Sequence, residues 1–351
     1  MIYDVAILGA GASGLMVASC LNDKDKKVCI IDNMSQIGEK IKISGGKKCN
    51  ITNQYLSSKK YLGDEEFINK VFERFDNYDL FKFIEEHGIN PILSEKIVKG
   101  AYFCHNSKDV IIMFQKYISK IKLFLNTMVE DIQLKDDNFI IIANNKTIES
   151  KKLIIASGGL SYPVLGATGI GFEVAKFFGH NVIAPNPALV GFTVQKEQFW
   201  FKELSGLRIE NVSIKVGDKI CNGNMLFTHK GCSGPVILST SLYWNKGQIS
   251  IDFSPTKGNY LPKRFRQAIK NLNIDIHNYK MSPAGNFGYT KAEVTKGGVD
   301  TSQIDVNTMQ SILQKNLYFA GEVMNVTGEL GGYNLQWAFS SAKIVSSAIF
   351  R

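Results

Sequence analysis

The feature that most constrains this chain is a glycine pattern between an apolar run and a helix near the start of the sequence. Val5 to Leu8 is a short apolar run of β type. Gly9, Gly11 and Gly14 follow as G-x-G-x-x-G, where the strand must turn into a helix predicted over Ala12 to Leu21. Gly9 permits a tight turn, Gly11 lets the backbone approach a pyrophosphate, and Gly14 lets the helix lie close to the strand. The pattern predicts a nucleotide-binding Rossmann unit.

The next strand ends in an acid that fits this prediction. Val28 to Ile31 is apolar, and Asp32 follows it eighteen residues after Gly14. A carboxylate at this point accepts hydrogen bonds from both hydroxyls of a ribose. An acid rather than a basic residue favours an unphosphorylated ribose, so the predicted ligand is the adenosine end of FAD or NAD rather than of NADP. The alternative, a glycine turn with a surface Asp, is weakened by the order of strand, turn, helix, strand and acid.

Composition and charge limit the class of protein. At 351 residues the chain predicts two or three domains, at roughly 100–200 residues each. The net charge of +9 comes from 41 basic and 32 acidic side chains, and the lysines are scattered, which favours a solvated basic surface over a nucleic-acid partner. The six cysteines form no C-x-x-C pair, and no metal site is predicted. We expect a cytoplasmic protein, because no signal peptide and no apolar run of about 18 residues is present.

The segment Ile37 to Asn53 is glycine- and lysine-rich, and we predict a loop rather than a long helix. Ser44 to Gly46 would offer backbone N–H groups to a pyrophosphate. Lys40 and Lys48 would offer it positive charge. A solvated basic loop is the alternative.

Periodicity predicts the elements that follow. Apolar residues at helical spacing predict helices at Asp64–Phe75, Asp79–His87, Asp109–Ile121 and Ala167–Gly179. Alternation predicts a β-meander at Val129–Leu134, Phe139–Ala143 and Thr147–Glu149, and a separate strand at Lys152–Ala156. Gly169 and Gly171 mark a helix start rather than a second nucleotide fingerprint, because no strand leads directly into them.

Pro185 and Pro187 mark a boundary, after which Val190 to Ile251 is a series of short β-type runs. We predict four segments: the first part of a nucleotide-binding domain (1–185), an inserted β domain (186–255), a short helical insert (256–290) and the second part of the first domain (291–351). His229 lies in a polar segment of the β domain and is the candidate catalytic proton donor, with a structural histidine as the alternative.

The last part of the chain repeats the arrangement of the first. Leu317 to Ala320 is a predicted strand that ends in Gly321 and Glu322, and Tyr333 to Ile349 is an apolar helix. Glu322 is a candidate hydroxyl acceptor, and the N-terminus of the helix is a candidate anion site. Because reduced flavin is an anion at its N1–C2=O edge, this helix favours flavin over NAD as the permanent ligand.

Six segments resemble, in order, the BaiN-like (YhiN-like) family of bacterial FAD-dependent oxidoreductases. They are GAGASG at 9–14, ISGGKKCNITN at 43–53, ASGGLSYPVLGATGIGFEVAKFFGH at 156–180, LFTHKGCSGP at 226–235, VTKGGV at 294–299 and LYFAGEVMNVTGELGGYNLQWAFSSA at 317–342. The resemblance covers nearly the whole chain.

The resemblance implies an α/β fold: a Rossmann-like FAD-binding domain with a parallel sheet and a β-meander, an inserted β-barrel-like domain and a short helical insert. It implies contacts to FAD from Gly9, Gly11, Ala12, Ser13, Gly14, Asp32, Lys40, Ser44, Gly45, Gly46, Lys48, Asn50, Gly158, Gly321, Glu322, Gly332, Tyr333 and Asn334, and a backbone contact of Val129 with the adenine.

The chain departs from the family pattern at a few positions. Lys47 stands where a glycine is expected, and Lys48 replaces a common arginine, which loses a bidentate phosphate contact. Asn325 and Thr327 replace acids. Cys49 lies near where disulfide reductases of related fold keep redox cysteines, but without a second cysteine nearby in the sequence we expect it to be structural.

Three functions remain open. The preferred one is a reductase that takes a hydride from transiently bound NAD(P)H at flavin N5 and passes electrons to a small organic acceptor, such as a conjugated carbonyl. The second is an oxidase or dehydrogenase of a small amine or hydroxyl substrate, with oxygen as acceptor. The third is an RNA-associated flavoprotein, prompted by the charge and ranked last because neither an aromatic-basic stripe nor an RNA-binding motif is recognised in the sequence. We expect a small-molecule substrate and no membrane partner, and the oligomeric state stays open.

Overall fold

The computed structural model describes residues 1–21, 26–94, 98–144, 146–255 and 261–350. The chain divides into two compact units. The first unit is Met1–Pro185 with Thr295–Arg351, and the second unit is Asn186–Val294.

The helices of the described residues are α1 (Ala12–Leu21), α2 (Glu39–Lys47), α3 (Glu65–Phe72), α4 (Asn77–Glu86), α5 (Ser107–Tyr117), α6 (Ile170–Phe177), α7 (Trp200–Glu203), α8 (Pro235–Tyr243), α9 (Lys263–Ile269) and α10 (Tyr333–Ile349). Among the residues described, no helix is both long and apolar enough to cross a membrane.

The strands of the described residues are β1 (Ile2–Leu8), β2 (Val28–Ile31), β3 (Asn50–Asn53), β4 (Tyr61–Leu62), β5 (Ile92–Ser94), β6 (Ala101–Phe103), β7 (Lys122–Phe124), β8 (Val129–Lys135), β9 (Asn138–Ala143), β10 (Lys146–Ile155), β11 (Val182–Ala188), β12 (Phe192–Val194), β13 (Arg208–Val216), β14 (Lys219–Thr228), β15 (Gly231–Ser233), β16 (Ile249–Asp252), β17 (Tyr279–Met281), β18 (Pro283–Asn286), β19 (Val294–Val299), β20 (Leu317–Phe319) and β21 (Thr327–Gly328).

The first unit is built on a sheet with the order β7-β2-β1-β10-β9-β8, and β20 also pairs with β10. β1 runs parallel to both β2 and β10, and β20 runs parallel to the end of β10. The beginning of β10 is antiparallel to β9 instead. The predicted Rossmann sheet with a β-meander is therefore confirmed.

The prediction of separate strands at Thr147–Glu149 and Lys152–Ala156 is wrong, because β10 is continuous from Lys146 to Ile155. Its first residues are partly exposed in the meander, whereas its last three are fully buried in the parallel sheet. The change in exposure along one strand produced the apparent break in the sequence pattern.

Two apolar helices cover the sheet of the first unit. α1 and α10 pack against each other, and most residues of both are buried. The first two predicted helices after residue 60 begin at aspartate caps: Asp64 accepts hydrogen bonds from two N–H groups of α3, and Asp76 forms a capping box with Asp79 at α4.

The second unit is a seven-stranded antiparallel sheet with the order β17-β16-β13-β14-β15-β12-β18. The two end strands, β17 and β18, follow each other in the chain with only Ser282 between them. A sheet whose opposite ends are joined so closely must curl round on itself, which gives the barrel-like form that the resemblance implied.

The structure differs from the predicted helical insert over 256–290. Residues 256–260, where that insert would begin, lie outside the described residues. The rest contains α9 together with β17 and β18, and these two strands pair within the barrel-like sheet. Phe265 of α9 is fully buried among aromatic rings of the same unit. This segment is therefore part of the second unit and not a separate piece.

Candidate nucleotide site

The glycine turn between β1 and α1 is shaped by contacts that only glycine allows. Gly9 has φ +111°, and a Cβ there would lie 2.4 Å from the carbonyl oxygen of Ala156. A Cβ on Gly14 would lie 1.9 Å from the carbonyl oxygen of Gly9. Nothing lies within 4 Å of a Cβ built on Gly11. Two glycines therefore let the turn close, and the third leaves open space beside the backbone.

Asp32 follows β2 and lies against this turn. Its carboxylate accepts hydrogen bonds from the N–H of Ala10 at 2.6 Å and from the N–H of Met34 at 2.8 Å. Burial raises the pKa of Asp32, while these two hydrogen bonds oppose the rise. Val129, at the start of β8, lies two residues beyond Thr127, whose N–H donates to the backbone carbonyl of Asp32. The residues predicted for the adenosine end are thus close together.

The segment after β2 is not the predicted loop. It forms α2, which is interrupted because Ser44 to Gly46 leave helical geometry. Gly45 and Gly46 have φ near +60°, and nothing lies within 4 Å of a Cβ built on Gly46. Lys48 is exposed. Apolar contacts of the buried Ile41 support a helix that the lysines and glycines concealed in the sequence.

Lys40 and Glu322 form an ion pair with an Nζ to Oε2 distance of 2.7 Å. The other carboxylate oxygen of Glu322 accepts a hydrogen bond from the N–H of Thr295 at 2.7 Å. In this structure the charge of Lys40 therefore faces a carboxylate, whereas the sequence prediction assigned it to a pyrophosphate. Gly158, with φ +74°, has Glu322 as its nearest neighbour, 3.9 Å from a Cβ built on it.

Thr295 is a residue that the sequence analysis missed. Its hydroxyl accepts hydrogen bonds from the N–H groups of Leu160 at 2.8 Å and of Ser161 at 3.1 Å. Thr295 thereby joins the segment after Gly158 to Glu322. Its signal in the sequence was the block at 294–299, which was used only for the family resemblance.

The N-terminus of α10 closes the site from the other end of the chain. Gly332 caps the helix with φ +98°, and a Cβ there would lie 2.4 Å from the carbonyl oxygen of Thr52. The Asn334 side chain exchanges hydrogen bonds with the backbone of Gly328. Tyr333 donates its hydroxyl to the carbonyl of Tyr55. These two side chains are therefore engaged within the protein, and the Tyr333 carbonyl accepts from the hydroxyl of Tyr61, which leaves the N–H groups at the start of α10 as the part available to a ligand.

Gly321 is fixed to α10 in a similar way. Its N–H donates to the hydroxyl of Ser341 at 2.9 Å, and its carbonyl accepts from the indole N–H of Trp337 at 3.1 Å. A Cβ on Gly321 would lie 2.1 Å from the hydroxyl oxygen of Ser13. The beginning of α1 and the residues after β20 are thus brought into direct proximity.

Cys49 is not isolated, in contrast to the sequence expectation. Cys104 lies opposite it, and the N–H of Cys104 donates to the carbonyl of Cys49 at 3.2 Å. Both side chains are buried. A hydrogen bond with Cys49, together with burial, raises the pKa of the Cys104 thiol. The raised pKa keeps the Cys104 thiol neutral where it packs against Cys49.

His229 belongs to the second unit. It is exposed in the turn between β14 and β15. Its assignment as a proton donor stays a prediction. No group of three or more metal-binding side chains occurs in the described ranges.

Two buried polar atoms test whether the first unit fits a dinucleotide. Asn50 Oδ1 and Ser157 Oγ have no hydrogen-bond partner among the described residues. A buried polar atom without a hydrogen bond destabilises the folded protein, unless a ligand or a water molecule supplies the missing partner. They occur in the segments next to Gly46 and Gly158, where the backbone has positive φ. Free acceptors, open space at Gly11 and a bare helix N-terminus fit a flavin adenine dinucleotide.

The fold and this site define the class of protein: an FAD-dependent oxidoreductase built on a Rossmann-like domain. The chain belongs to the family described as "HI0933-like protein Rossmann domain", whose model matches residues 3–348. The resemblance to BaiN-like (YhiN-like) oxidoreductases drawn from the sequence is confirmed.

Individual relatives cover nearly the whole chain. It is 34% identical to the "Ribosomal RNA dihydrouridine synthase" of Escherichia coli K12, over 97% of this chain and 96% of that protein. It is 26% identical to the "3-dehydro-bile acid delta(4,6)-reductase" of Clostridium scindens, over 98% of both chains. A solved 3-ketosteroid-delta4-(5alpha)-dehydrogenase from Rhodococcus jostii shares the fold, with a TM-score of 0.57, 12% identity and coverage of 99% of this chain and 96% of that one.

Proposed function

We propose that this protein reduces the C5=C6 double bond of a uridine in ribosomal RNA, with electrons that NAD(P)H delivers through FAD. The observation that carries the proposal is the 34% identity to a ribosomal RNA dihydrouridine synthase over almost the full length of both chains. Six free cysteines and an RNA substrate support a cytoplasmic location.

The reactions named for the two relatives both concern a carbon–carbon double bond conjugated to a carbonyl group. Dihydrouridine differs from uridine by two hydrogens across a double bond conjugated to the C4 carbonyl. The bile-acid double bonds at positions 4 and 6 are conjugated to a carbonyl at position 3. In both cases a hydride adds to the carbon remote from the carbonyl, and a proton adds to the neighbouring carbon. Electron-poor conjugated carbonyls are therefore the acceptor class that these relatives support.

Bound FAD would supply the hydride at its N5 atom. The protein's own groups bind and orient. Asp32 would accept hydrogen bonds from the ribose. Asn50 and Ser157 would form with the ligand the hydrogen bonds that they lack among the described residues. Glu322 would accept a hydrogen bond from a ribityl hydroxyl, and Lys40 and Thr295 would hold the Glu322 carboxylate in position. The N-terminus of α10 carries no acidic residue in its first turn. Its N–H groups would stabilise a nearby anion.

The test has two stages. Anaerobic mixing of the purified protein with NADH, and separately with NADPH, should bleach the visible flavin bands. The reduced protein is then mixed with a transcript of ribosomal RNA, and mass spectrometry should find a uridine that has gained two hydrogens. Omission of the nicotinamide is the control. Bands that stay oxidised with both nicotinamides would favour an oxidase or dehydrogenase of a small substrate instead.

A small-molecule enone reductase is the second candidate, and the bile-acid reductase relative favours it. The same reduced protein would then transfer its electrons to a 3-oxo-4-ene steroid but leave RNA unchanged. The charge of the second unit favours RNA. This reverses the low rank that the scattered lysines and the lack of motifs gave to a nucleic-acid partner.

A further inference from the structure

The positive charge is concentrated in the second unit. Asn186–Val294 contains 14 of the 41 lysines and arginines but only 7 of the 32 aspartates and glutamates. This unit therefore carries +7 of the net charge of +9, although it is less than a third of the chain. A basic surface on one unit is the electrostatic pattern expected of a phosphate-rich partner.

The most basic element of the unit is α9, which buries an aromatic side chain on one face and exposes its basic side chains on the other. Phe265 is fully buried, with its ring centroid 4.9 Å from that of Phe253. Lys263, Arg266 and Lys270 follow at helical spacing and are all exposed. No acid occurs between residues 261 and 274. Residues three and four apart lie on the same side of a helix, so these three cations form one exposed stripe.

The segment against which α9 packs carries an exposed aromatic ring. The guanidinium of Arg264 donates to the backbone carbonyls of Glu203 and Ser205, which holds α9 against the end of α7. Just before α7, the ring of Phe199 is 45% exposed, and Lys202 Nζ lies 3.6 Å from its centroid. Exposed aromatic rings next to cations stack on the unpaired bases of RNA.

The acids near this surface are few. Glu197 and Glu203 are exposed on the segment that carries Phe199. Glu203 offers its backbone carbonyl to Arg264. Two carboxylates against five lysines and arginines, which are Lys202, Lys263, Arg264, Arg266 and Lys270, leave a clear positive excess.

We propose that this α7–α9 surface, formed by Phe199, Lys202, Lys263, Arg264, Arg266 and Lys270, binds the phosphate backbone and an unpaired base of the RNA substrate. The inference rests on the proposed function and adds to it the part of the chain that holds RNA. The first unit then supplies the chemistry, and the second unit supplies most of the affinity for RNA.

The test compares two triple variants with equal loss of charge. The first is Lys263→Gln, Arg266→Gln and Lys270→Gln. The control is Lys108→Gln, Lys120→Gln and Lys135→Gln, three exposed lysines of the first unit. Binding of a labelled ribosomal RNA transcript is measured over a series of salt concentrations. NADH-driven bleaching of the flavin and the melting temperature check that each variant is folded and loaded.

We expect the α9 variant to bind the RNA about 10- to 100-fold more weakly at low salt. The slope of log K against log salt should fall by about 2, because each phosphate contact to single-stranded RNA contributes about 0.7. The control variant should keep most of the wild-type slope, and both variants should bleach normally. Equal slopes for the two variants would overturn the assignment of the surface.

A single variant separates stacking from charge. Phe199→Leu should weaken binding about 5-fold or more and leave the salt slope unchanged, because base stacking does not release counterions. An unchanged affinity for RNA would show that Phe199 is not part of the RNA-binding surface. Failure of the wild-type protein to reduce any uridine would count against the proposed function, whereas normal uridine reduction by the α9 variant at low RNA concentration would count only against this surface.

Discussion

The first unit carries 27 basic and 25 acidic side chains, whereas the second carries 14 and 7. Their interiors differ as well. The first unit buries aliphatic strands beneath α1 and α10, and the second buries a cluster of aromatic rings around Phe265. In the first unit the site depends on backbone positions where a single methyl group does not fit. In the second unit the proposed surface depends on the charge of side chains. The two units should therefore respond to different kinds of substitution.

The largest expected effect is that of Phe265→Ala in the second unit. Removal of a fully buried ring costs about 3–5 kcal/mol, because the cavity that is left cannot collapse completely. Trp200, whose ring centroid lies 6.0 Å from that of Phe265, reports the loss through its fluorescence in a denaturant titration. We expect the purified variant to keep its FAD. Loss of FAD in parallel with the fluorescence change would show instead that the two units unfold together.

The next effect lies inside the first unit, where two glycines can each be given one methyl group. Gly14→Ala should destabilise the protein by about 1–3 kcal/mol, because the methyl would overlap the carbonyl of Gly9. Gly11→Ala should leave the melting temperature of the FAD-free protein unchanged, since nothing lies within 4 Å of its Cβ. Titration with FAD should then show weaker binding by Gly11→Ala. Normal FAD affinity in that variant would mean that the open space at Gly11 is not used by the cofactor.

The smallest effect concerns pH and is confined to the first unit. Burial lowers the pKa of His180, which hydrogen-bonds Ser311 through Nε2 at 2.7 Å and has no partner for Nδ1 in the described structure. Below pH about 6.5 His180 is protonated in the unfolded chain but stays neutral in the folded chain, because its pKa there is lower. The free energy of unfolding therefore falls as the pH is lowered. The slope from this group is at most about 1.4 kcal/mol per pH unit.

Thermal unfolding at pH 7.5 and 5.5 checks this prediction. His180→Gln should lose less stability between the two pH values than the wild type does. The exposed His229→Gln should follow the wild type. If His180→Gln loses as much stability between pH 7.5 and 5.5 as the wild type does, groups other than His180 cause the sensitivity to acid.

Local signals in the sequence were sufficient for much of the first unit. Gly9, Gly14 and Asp32 lie where the spacing required, because the pattern of strand, turn, helix, strand and acid is continuous in the sequence. The helices capped by Asp64 and Asp76 were predictable because a capping side chain acts on the first turn of its own helix.

Contacts between distant residues were not predictable in this way. Cys49 is hydrogen-bonded to Cys104, and Thr295 to Glu322, although the residues of each pair are far apart in the sequence. No sequence motif used for the prediction spans such distances. α2 was missed because two glycines and several lysines mask a helix that Ile41 anchors by packing. The strands within 256–290 were missed because each is only three or four residues long and is stabilised by partners elsewhere in the barrel-like sheet.

The position of α10 has a consequence for the order in which the protein is made. The glycine turn leaves the ribosome more than 300 residues before its neighbours, Gly321 and the helix that begins at Tyr333. At about 5–20 residues per second, the interval between them is on the order of half a minute. During that time a nascent chain displays an unfinished pocket and an uncovered sheet. Acquisition of the cofactor should therefore follow the synthesis of α10, and a message broken before codon 333 should yield only colourless protein.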